Sequence, residues 1–274
     1  MRRASIPALG PLPLTIVVAA SLGNGIGAQG ALPWRVAKDM AYFRAATNHV
    51  LNTPRDDAVM REAGWQRSTA PVKNAVIMGR TTWESIPARF RPLRGRINVV
   101  VSTTMDEQGF NGVDTLLVRS FEEAVTVLQQ RRVARYDTGV QTAGAALAHA
   151  FVIGGAALYR YVLEQSNEAW TLENMLVTRL LHPETLDASC DVFLQEFRTP
   201  PQQAWEAQLA ANVARKLPTE TQCADALDPN APWRHAVPEE HRVFLGDAPH
   251  AVDVGKLVEE NGVVMQFQLW RHRM

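Results

Sequence analysis

One acidic residue lies on the apolar face of a predicted helix, where burial of an ionised side chain would cost free energy. Asp39 belongs to the segment VAKDMAYFRAAT, whose apolar residues have the spacing of one helix face and are Val36, Met40, Phe43 and Ala46. A carboxylate there loses hydration unless it finds a partner. It can accept two parallel hydrogen bonds from a flat heterocycle that carries a ring N–H and an amino group. The alternative is a solvated helix acid that pairs with Lys38 or Arg44.

A guanidinium stands at a second position suited to chemistry. Arg80 lies where the apolar run NAVIMG ends and a helical pattern begins, and from there it can clamp a phosphate. The formal net charge of the chain is zero, so no global charge attracts nucleic acid or an anionic membrane. Anionic ligands therefore depend on local arginines. The alternative role for such an arginine is surface solubility.

Two glycine motifs follow apolar runs. GIGAQG, from Gly25 to Gly30, has the spacing of a dinucleotide-binding turn, but Pro33 prevents a helix from opening after it. The second strand that such a turn requires is also missing, so these glycines indicate a flexible loop that can close over a ligand. Gly154 and Gly155 run from a strand into a helix, where backbone can approach a phosphate. A tight turn at a strand end is the alternative there.

The elements that must position these residues alternate along the chain. Short apolar runs are each followed by a turn and a helical pattern, and they read LTIVVAASL, NAVIMGR, INVVVST, TLLVRS, AFVIGG and NMLVTRLL. Such runs indicate strands buried on both faces of a mostly parallel sheet. The final run, VVMQFQLWRHR, alternates more and predicts an antiparallel edge strand at the C-terminus. The predicted fold class is α/β: a single domain with a central mostly parallel β-sheet and helices on both faces.

Caps and insertions complete this organisation. Ser120 and Glu123 form a predicted capping box, with Ser120 as the N-cap and Glu123 reaching back. Two stretches that are polar or rich in alanine and glycine, at about 52–72 and 131–149, and a longer stretch without a strong period, at about 199–262, predict insertions within one domain that spans residues 14–274. Residues 1–13 predict an N-terminal extension.

Composition limits the remaining classes. With 46% apolar and 20% charged residues, the chain has the composition of a soluble globular protein. Cys190 and Cys223 form no C-x-x-C motif, so neither a disulfide framework nor a metal site is predicted, although a single disulfide stays open. No run approaches the ~18 apolar residues of a membrane span. We expect a cytoplasmic protein, with organelle import through residues 1–13 as the minor alternative.

A set of motifs then occurs in one order. It comprises GIG, LPW followed by Asp39, MGRTTWESIP, RPLRGRIN, Ser102, IGG with Tyr159, and VTR. Over residues 14 to about 198, and again at the terminal strand, this series resembles the dihydrofolate reductase family. MGRTTWESIP together with RPLRGR is highly specific. The insertions make the chain similar to a eukaryotic, fungal-like member.

The resemblance implies an enzyme that reduces 7,8-dihydrofolate to 5,6,7,8-tetrahydrofolate with NADPH, in support of thymidylate, purine and one-carbon metabolism. It implies Asp39 as the sole ionisable contact of the pterin, which promotes ring protonation with a water held near Trp34. Thr178 would bond the same carboxylate. Methotrexate is an expected ligand, trimethoprim sensitivity stays open, and a monomer is expected.

The resemblance also implies binding residues. Those for the substrate are Val17, Val18, Leu32, Asp39, Phe43, Ile86, Leu93, Arg96, Ile153, Tyr159 and Thr178. Those for the cofactor are Ala19, Ile26, Gly27, Gly79, Arg80, Thr81, Thr82, Ser102, Thr103, Arg119, Gly154, Gly155, Ala156, Ala157, Leu158 and Tyr159. Arg96 would bind the glutamate carboxylate of folate through two bonds that Lys could not copy. Arg80, with Ser102, would contact the 2′-phosphate of NADPH.

The chain departs from the family pattern at three positions. Thr103 stands where a basic residue is common, and Ala157 stands where many bacterial members have arginine. The preference for NADPH over NADH therefore depends on Arg80, assisted by Arg119. Asp39 is a shorter acid than the glutamate of many eukaryotic members, so antifolate preferences need not transfer.

Two other functions remain open from the sequence. One is a reductase of the same fold that acts on a riboflavin-pathway pyrimidine carrying ribose phosphate, which would need neither LPW with its acid nor Arg96. The other is a non-catalytic pterin- or RNA-binding module. The presence of Asp39 and of the glycine pair, together with the zero net charge, argues against the second.

Overall fold

The computed structural model describes residues 6–50, 54–108, 110, 112–140, 142–165, 167–217, 228–246 and 253–273. The chain forms two compact units: unit 1 contains Met1–Leu14, Thr47–Ile153 and Ser166–Thr171, and unit 2 contains Thr15–Ala46, Gly154–Gln165 and Leu172–Met274. The helices are α1 Ala37–Asn48, α2 Pro54–Glu62, α3 Arg80–Ser85, α4 Phe121–Val133, α5 Ala156–Glu164, α6 Pro200–Ala214 and α7 Pro238–Leu245. The strands are β1 Leu12–Ser21, β2 Gly25–Gly27, β3 Val72–Gly79, β4 Arg96–Val101, β5 Thr115–Val118, β6 Ala146–Val152, β7 Trp170–His182, β8 Val192–Phe193, β9 Trp233–His235, β10 Leu257–Glu260 and β11 Val263–His272.

Unit 1 is built on parallel strands in the order β6-β3-β4-β5. The central strand β3 pairs Ile77 with Val99 of β4 on one side and with Val152 of β6 on the other. These three side chains are completely buried, as expected for a strand covered on both faces. The parallel strands predicted from the apolar runs are therefore present in this unit.

The strand β6 is longer than its sequence pattern indicated. It begins at Ala146, so residues 146–149, assigned above to an insertion, pair with β3 through Val72↔Ala146 and Lys73↔Leu147. The segment ALAHAFV is rich in alanine, which has low strand propensity. Pairing with β3, rather than local preference, makes this segment a strand.

The other predicted insertion in unit 1 and the predicted N-terminal extension contribute to a small core of their own. Leu9, Met60 and Tyr136 form a buried cluster, with Trp65 packed against it. Asp56 of α2 accepts two hydrogen bonds from Arg132 of α4, at 2.7 and 2.6 Å. These segments are therefore packed structure, and β1, which begins at Leu12, starts before the predicted boundary at residue 14.

Unit 2 contains the antiparallel part of the structure. β11 pairs antiparallel with β7, for example through Phe267↔Thr178, so its predicted direction is confirmed. Its predicted edge position is wrong, because β10 and β9 pair with β11 as well. Both of these strands come from 199–262, a stretch without a strong periodic signal.

The helix α1 buries most of the predicted face but leaves Met40 exposed. Its buried side includes Asp39, Tyr42 and Ala46, whereas Met40 is 47% exposed. Successive residues of an α-helix are about 100° apart, so a buried face centred on Asp39 leaves Met40 at its rim.

The cap of α4 agrees in part with the predicted capping box. Ser120 is the N-cap and its hydroxyl accepts a bond from the N–H of Glu123 at 3.1 Å. The Glu123 carboxylate accepts from the N–H of Arg119, at 2.7 Å, one residue before the N-cap. Both interactions occupy N–H donors near the start of the helix.

A buried charge network ties α6 to the rest of unit 2. Glu206 of α6 pairs with Arg179 of β7, at 3.1 Å, and with Arg198. Arg179 also donates to the carbonyl of Ser21 and the side-chain oxygen of Asn24, at 2.6 and 2.9 Å. Part of the predicted 199–262 insertion therefore supports the strand that carries Thr178 and the turn after β1. Residues 218–227, which include Cys223, and residues 247–252 lie outside the described residues.

Candidate active site

The acid singled out by the sequence is buried in unit 2. Asp39 lies in the first turn of α1 and is 7% exposed. Burial raises the pKa of its carboxyl to about 6, and a hydrogen bond from Thr178 partly offsets this effect. An acid with this pKa is partly protonated near neutrality and can take part in proton transfer.

Two buried tyrosines lie close enough to Asp39 to respond to its charge. Burial and the Asp39 carboxylate together raise the pKa of both Tyr42 and Tyr159. The Tyr159 hydroxyl donates to the backbone carbonyl of Val17 at 2.8 Å. The structure thus associates Asp39, Thr178, Tyr159 and Val17, all predicted above, and a carbonyl oxygen has a second lone pair with which to accept a ligand donor.

An open cavity of about 390 Å³ lies beside Asp39. Leu32 and Trp34, both predicted above, line it together with Glu260. Leu32 is 46% exposed, whereas Trp34 is buried. The indole N–H of Trp34 has no hydrogen-bond partner among the described residues. An apolar cavity with a few polar groups is the usual form of a small-molecule site.

The predicted loop after β1 is held by hydrogen bonds and by strand pairing. Gly27 accepts a bond through its carbonyl from the N–H of Asp191, at 3.0 Å, and the Asp191 carboxylate accepts from the N–H of Gln29, at 2.9 Å. Ile26 and Gly27 belong to β2, which pairs with β8. Ala19 and Val18 lie on β1, where Val18 is buried and Ala19 is half-buried.

The glycine pair leads into α5, also in unit 2. Gly154 has a φ of +125°, a conformation that side chains disfavour, and its peptide bond to Gly155 is cis. Gly155 is the N-cap of α5, and the first turn of this helix contains no acidic residue. This end of α5 therefore presents N–H donors without a local carboxylate. The remaining predicted residues in the helix are Ala156, Ala157, Leu158 and Tyr159.

In unit 1, α3 follows β3 directly. Gly79 is its N-cap, and Arg80 begins the helix with a side chain that is 52% exposed, 3.6 Å from Glu84. Thr81 is exposed and Thr82 is half-buried. A loosely paired, exposed guanidinium is available to an anionic ligand.

The other predicted cofactor residues of unit 1 form a turn after β4. The Ser102 hydroxyl accepts from the N–H groups of Thr104 and Met105, at 3.3 and 3.1 Å. Arg119 donates to the carbonyls of Ser102 and Met105, at 3.1 and 2.8 Å. Thr103 is exposed within this turn. Arg119 is therefore fixed by backbone contacts, and its guanidinium orders the turn.

The predicted carboxylate-binding arginine is buried at the start of β4. Arg96 is 6% exposed and donates to the hydroxyl of Thr47 at 2.7 Å and to the carbonyl of Arg94 at 3.2 Å. Asn98 bonds both the N–H and the carbonyl of Leu93, at 2.8 and 3.0 Å, and so fixes the RPLRGR loop. Ile86 and Ile153, the remaining predicted substrate contacts in this unit, are half-buried.

Comparison with known proteins decides the family. The family model described as "Dihydrofolate reductase" matches residues 63–214. A dihydrofolate reductase of Cryptococcus neoformans is 30% identical over 272 residues, which are 94% of this chain and 93% of that protein. The chain belongs to the dihydrofolate reductase family. The enzyme of Pneumocystis carinii is 32% identical over 66% of this chain and 72% of its own length, and that of Candida albicans is 29% identical over 70% and 79%.

Membership of the dihydrofolate reductase family confirms the predicted α/β fold class, the eukaryotic, fungal-like relationship and the predicted reductase activity. The matched range, residues 63–214, includes Arg80, Arg96 and Thr178, whereas Asp39 lies in the part covered by the alignment with the Cryptococcus protein. Among the described residues, no helix has both the length and the apolar composition needed to cross a bilayer.

Sequence reasoning missed two residues beside Asp39. Tyr42 is 1% exposed, stacks on Phe267 and bonds His241 at 2.7 Å, and its position three residues after Asp39 could have indicated a shared face. Glu260 accepts hydrogen bonds from the start of α1, and no local pattern signals this role.

Proposed function

We propose that this chain reduces 7,8-dihydrofolate to 5,6,7,8-tetrahydrofolate with NADPH as the hydride donor. The observation that carries the proposal is the buried carboxylate of Asp39, bonded by Thr178 and lining an open cavity. A buried carboxylate of this kind matches a flat heterocycle that offers two parallel donors. The roles predicted above for the other substrate-binding and cofactor-binding residues are part of the same proposal.

Asp39 binds the pterin and promotes protonation of its ring nitrogen. Its raised pKa keeps part of the population protonated near neutrality, so the proton is available while the carboxylate form can still accept pterin hydrogen bonds. Thr178 orients the carboxyl by donating to it. Trp34, whose N–H faces no protein acceptor among the described residues, is suited to hold a water near Asp39.

The remainder of the substrate requires apolar walls and a cation. We propose Leu32, Phe43, Ile86 and Leu93 as the residues that supply apolar surface for the rings. Arg96 binds the glutamate carboxylate, and its bond to Thr47 presets the guanidinium so that less freedom is lost on binding.

The residues present fit a phosphate-bearing cofactor. When bound, NADPH supplies the hydride, and the protein contributes orientation and charge. The start of α5 after Gly155 offers N–H donors without a local acid, and Arg80 is exposed. Arg80 contacts the 2′-phosphate, and Arg119 supports the turn that contains Ser102.

The test compares initial rates of NADPH oxidation with dihydrofolate for the wild type, Asp39→Asn and Glu259→Gln. The last of these is the control, because it replaces an exposed acid. We expect the Asn variant to lose at least about 100-fold in rate, because proton assistance typically contributes at least that factor. Equal rates in wild type and Asp39→Asn would contradict the role of Asp39.

A second assay tests the cofactor. Arg80→Ala should weaken NADPH binding much more than NADH binding, since only NADPH carries the 2′-phosphate. Equal losses for the two cofactors would remove Arg80 from that role. We further propose a monomer located in the cytoplasm that binds antifolates such as methotrexate.

A further inference from the structure

The start of α1 is held by a residue far away in the chain. Glu260, at the end of β10, accepts a hydrogen bond from the N–H of Ala37 at 3.0 Å and another from the N–H of Lys38 at 2.8 Å. The first N–H groups of a helix have no partner within the helix. Both oxygens of one carboxylate therefore cap the turn that contains Asp39.

Further bonds attach the same turn to the β10–β11 hairpin. The Lys38 ammonium donates to the carbonyl of Glu259 at 3.1 Å. The amide of Asn261 lies 3.5 Å from the carbonyl of Arg35, to which it donates. The hairpin thus contacts the chain on both sides of the first residue of α1, and Glu260 occupies the central position.

Glu260 also belongs to the cavity that Asp39 lines. The positive end of a helix favours a negative charge in its first turn, which would hold Asp39 in the ionised form. A second carboxylate at the same helix end offsets that field and repels an ionised neighbour. A carboxylate that caps this turn and lines the same cavity is therefore placed to act on Asp39 both through the geometry of the turn and through its charge.

We propose that Glu260 is a positioning residue for Asp39, which fixes the first turn of α1 and favours the protonated form of the Asp39 carboxyl. The inference rests on the proposed function, because a protonated Asp39 matters only if this group assists proton transfer. Several other ionisable groups of unit 2 surround Asp39 from its own segment and from α5, and they are Arg35, Lys38, Tyr42 and Tyr159. Among these and Glu260, only Glu260 is a carboxylate.

The decisive variant is Glu260→Gln, which keeps an acceptor for α1 and removes the charge. The matched control is Glu259→Gln, in which the neighbouring exposed acid is changed and the carbonyl bonded by Lys38 remains. The conservative variant Glu260→Asp keeps the charge. All three are measured for the pH dependence of kcat with dihydrofolate and NADPH.

We expect Glu260→Gln to move the alkaline limb of the profile to lower pH by about 0.5 unit, roughly a threefold loss of rate on that limb, as removal of one nearby charge in a hydrated cavity would give. Glu260→Asp should return the limb toward the wild-type position, and Glu259→Gln should not move it. Superimposable profiles for wild type and Glu260→Gln would overturn the proposal.

A second measurement reads the same effect without turnover. The titration of the Asp39 carboxyl is followed by carbon NMR in ligand-free wild type and Glu260→Gln, with Asp39→Asn to assign the resonance. A lower Asp39 pKa in the Gln variant supports the inference, and an unchanged pKa refutes it. A wild-type protein without reductase activity would refute the proposed function instead, so the two failures are distinguishable.

Discussion

Replacing Asp39 by asparagine should make the protein more stable at neutral pH while it loses activity. The folded pKa of Asp39 is about 6, against an ordinary value of 3.8. That difference corresponds to about 3 kcal/mol at about 1.4 kcal/mol per pH unit. The magnitude applies to a nearly fully buried group, since Asp39 is 7% exposed. Asparagine retains an oxygen that can accept the bond from Thr178 without carrying the charge.

The sign of this effect follows from proton binding. Between about pH 4 and pH 6 the folded state holds a proton on Asp39 that the unfolded chain has released, so the free energy of unfolding of the wild type falls as pH rises through this window. An asparagine side chain at this position does not titrate. The two proteins should therefore differ little below about pH 4, and the difference should reach its full value above about pH 6.

Urea unfolding followed by tryptophan fluorescence, at pH values from about 4 to about 8, measures the difference in free energy of unfolding between the wild type and Asp39→Asn. Glu259→Gln, in which an exposed acid is replaced by its amide, serves as the control. A free energy difference between wild type and Asp39→Asn that stays constant across the whole range would refute the reasoning, since it would show that Asp39 titrates alike in the folded and unfolded states.

Three further changes test other parts of the structure. Glu206→Ala should lower the free energy of unfolding by about 3–5 kcal/mol, because the buried Arg179 would lose its carboxylate partner. Gln208→Ala on the exposed side of α6 should change this free energy little, and equal effects of the two variants in urea unfolding would contradict the buried network. Gly25→Ala should lower the free energy of unfolding by about 1–3 kcal/mol, since the added Cβ would lie 2.7 Å from a serine hydroxyl oxygen. The control is Gly27→Ala, whose added Cβ would meet no atom closer than 3.5 Å. A thermal melt in which both variants match the wild type would rule out this crowding. Arg96→Lys should raise the KM for dihydrofolate about tenfold or more with a smaller effect on kcat, because Lys cannot form the two parallel bonds; an unchanged KM would place the glutamate carboxylate elsewhere.

Much of the candidate site could be predicted from the sequence because its residues lie in local motifs. The strand that ends at Gly79, the helix that begins at Arg80 and the Ser120 cap depend on neighbouring residues alone, and the structure contains all three. Asp39 was also identifiable, because a single acid within an apolar helical pattern is conspicuous. The extent of the buried face around Asp39 was not identifiable, since Met40 satisfies the same period and is exposed.

Local sequence patterns thus identified the family, the main apolar strands and the types of the reacting groups, because apolar periodicity and short motifs act within a few residues. Tertiary structure alone decided the environment of those groups. The partner of the Ala37 N–H is Glu260, 223 positions away, and Arg179 meets its counter-charge on α6. Burial and side-chain hydrogen bonds depend on which distant segments pack together, and burial and the hydrogen bond from Thr178 set the pKa of Asp39.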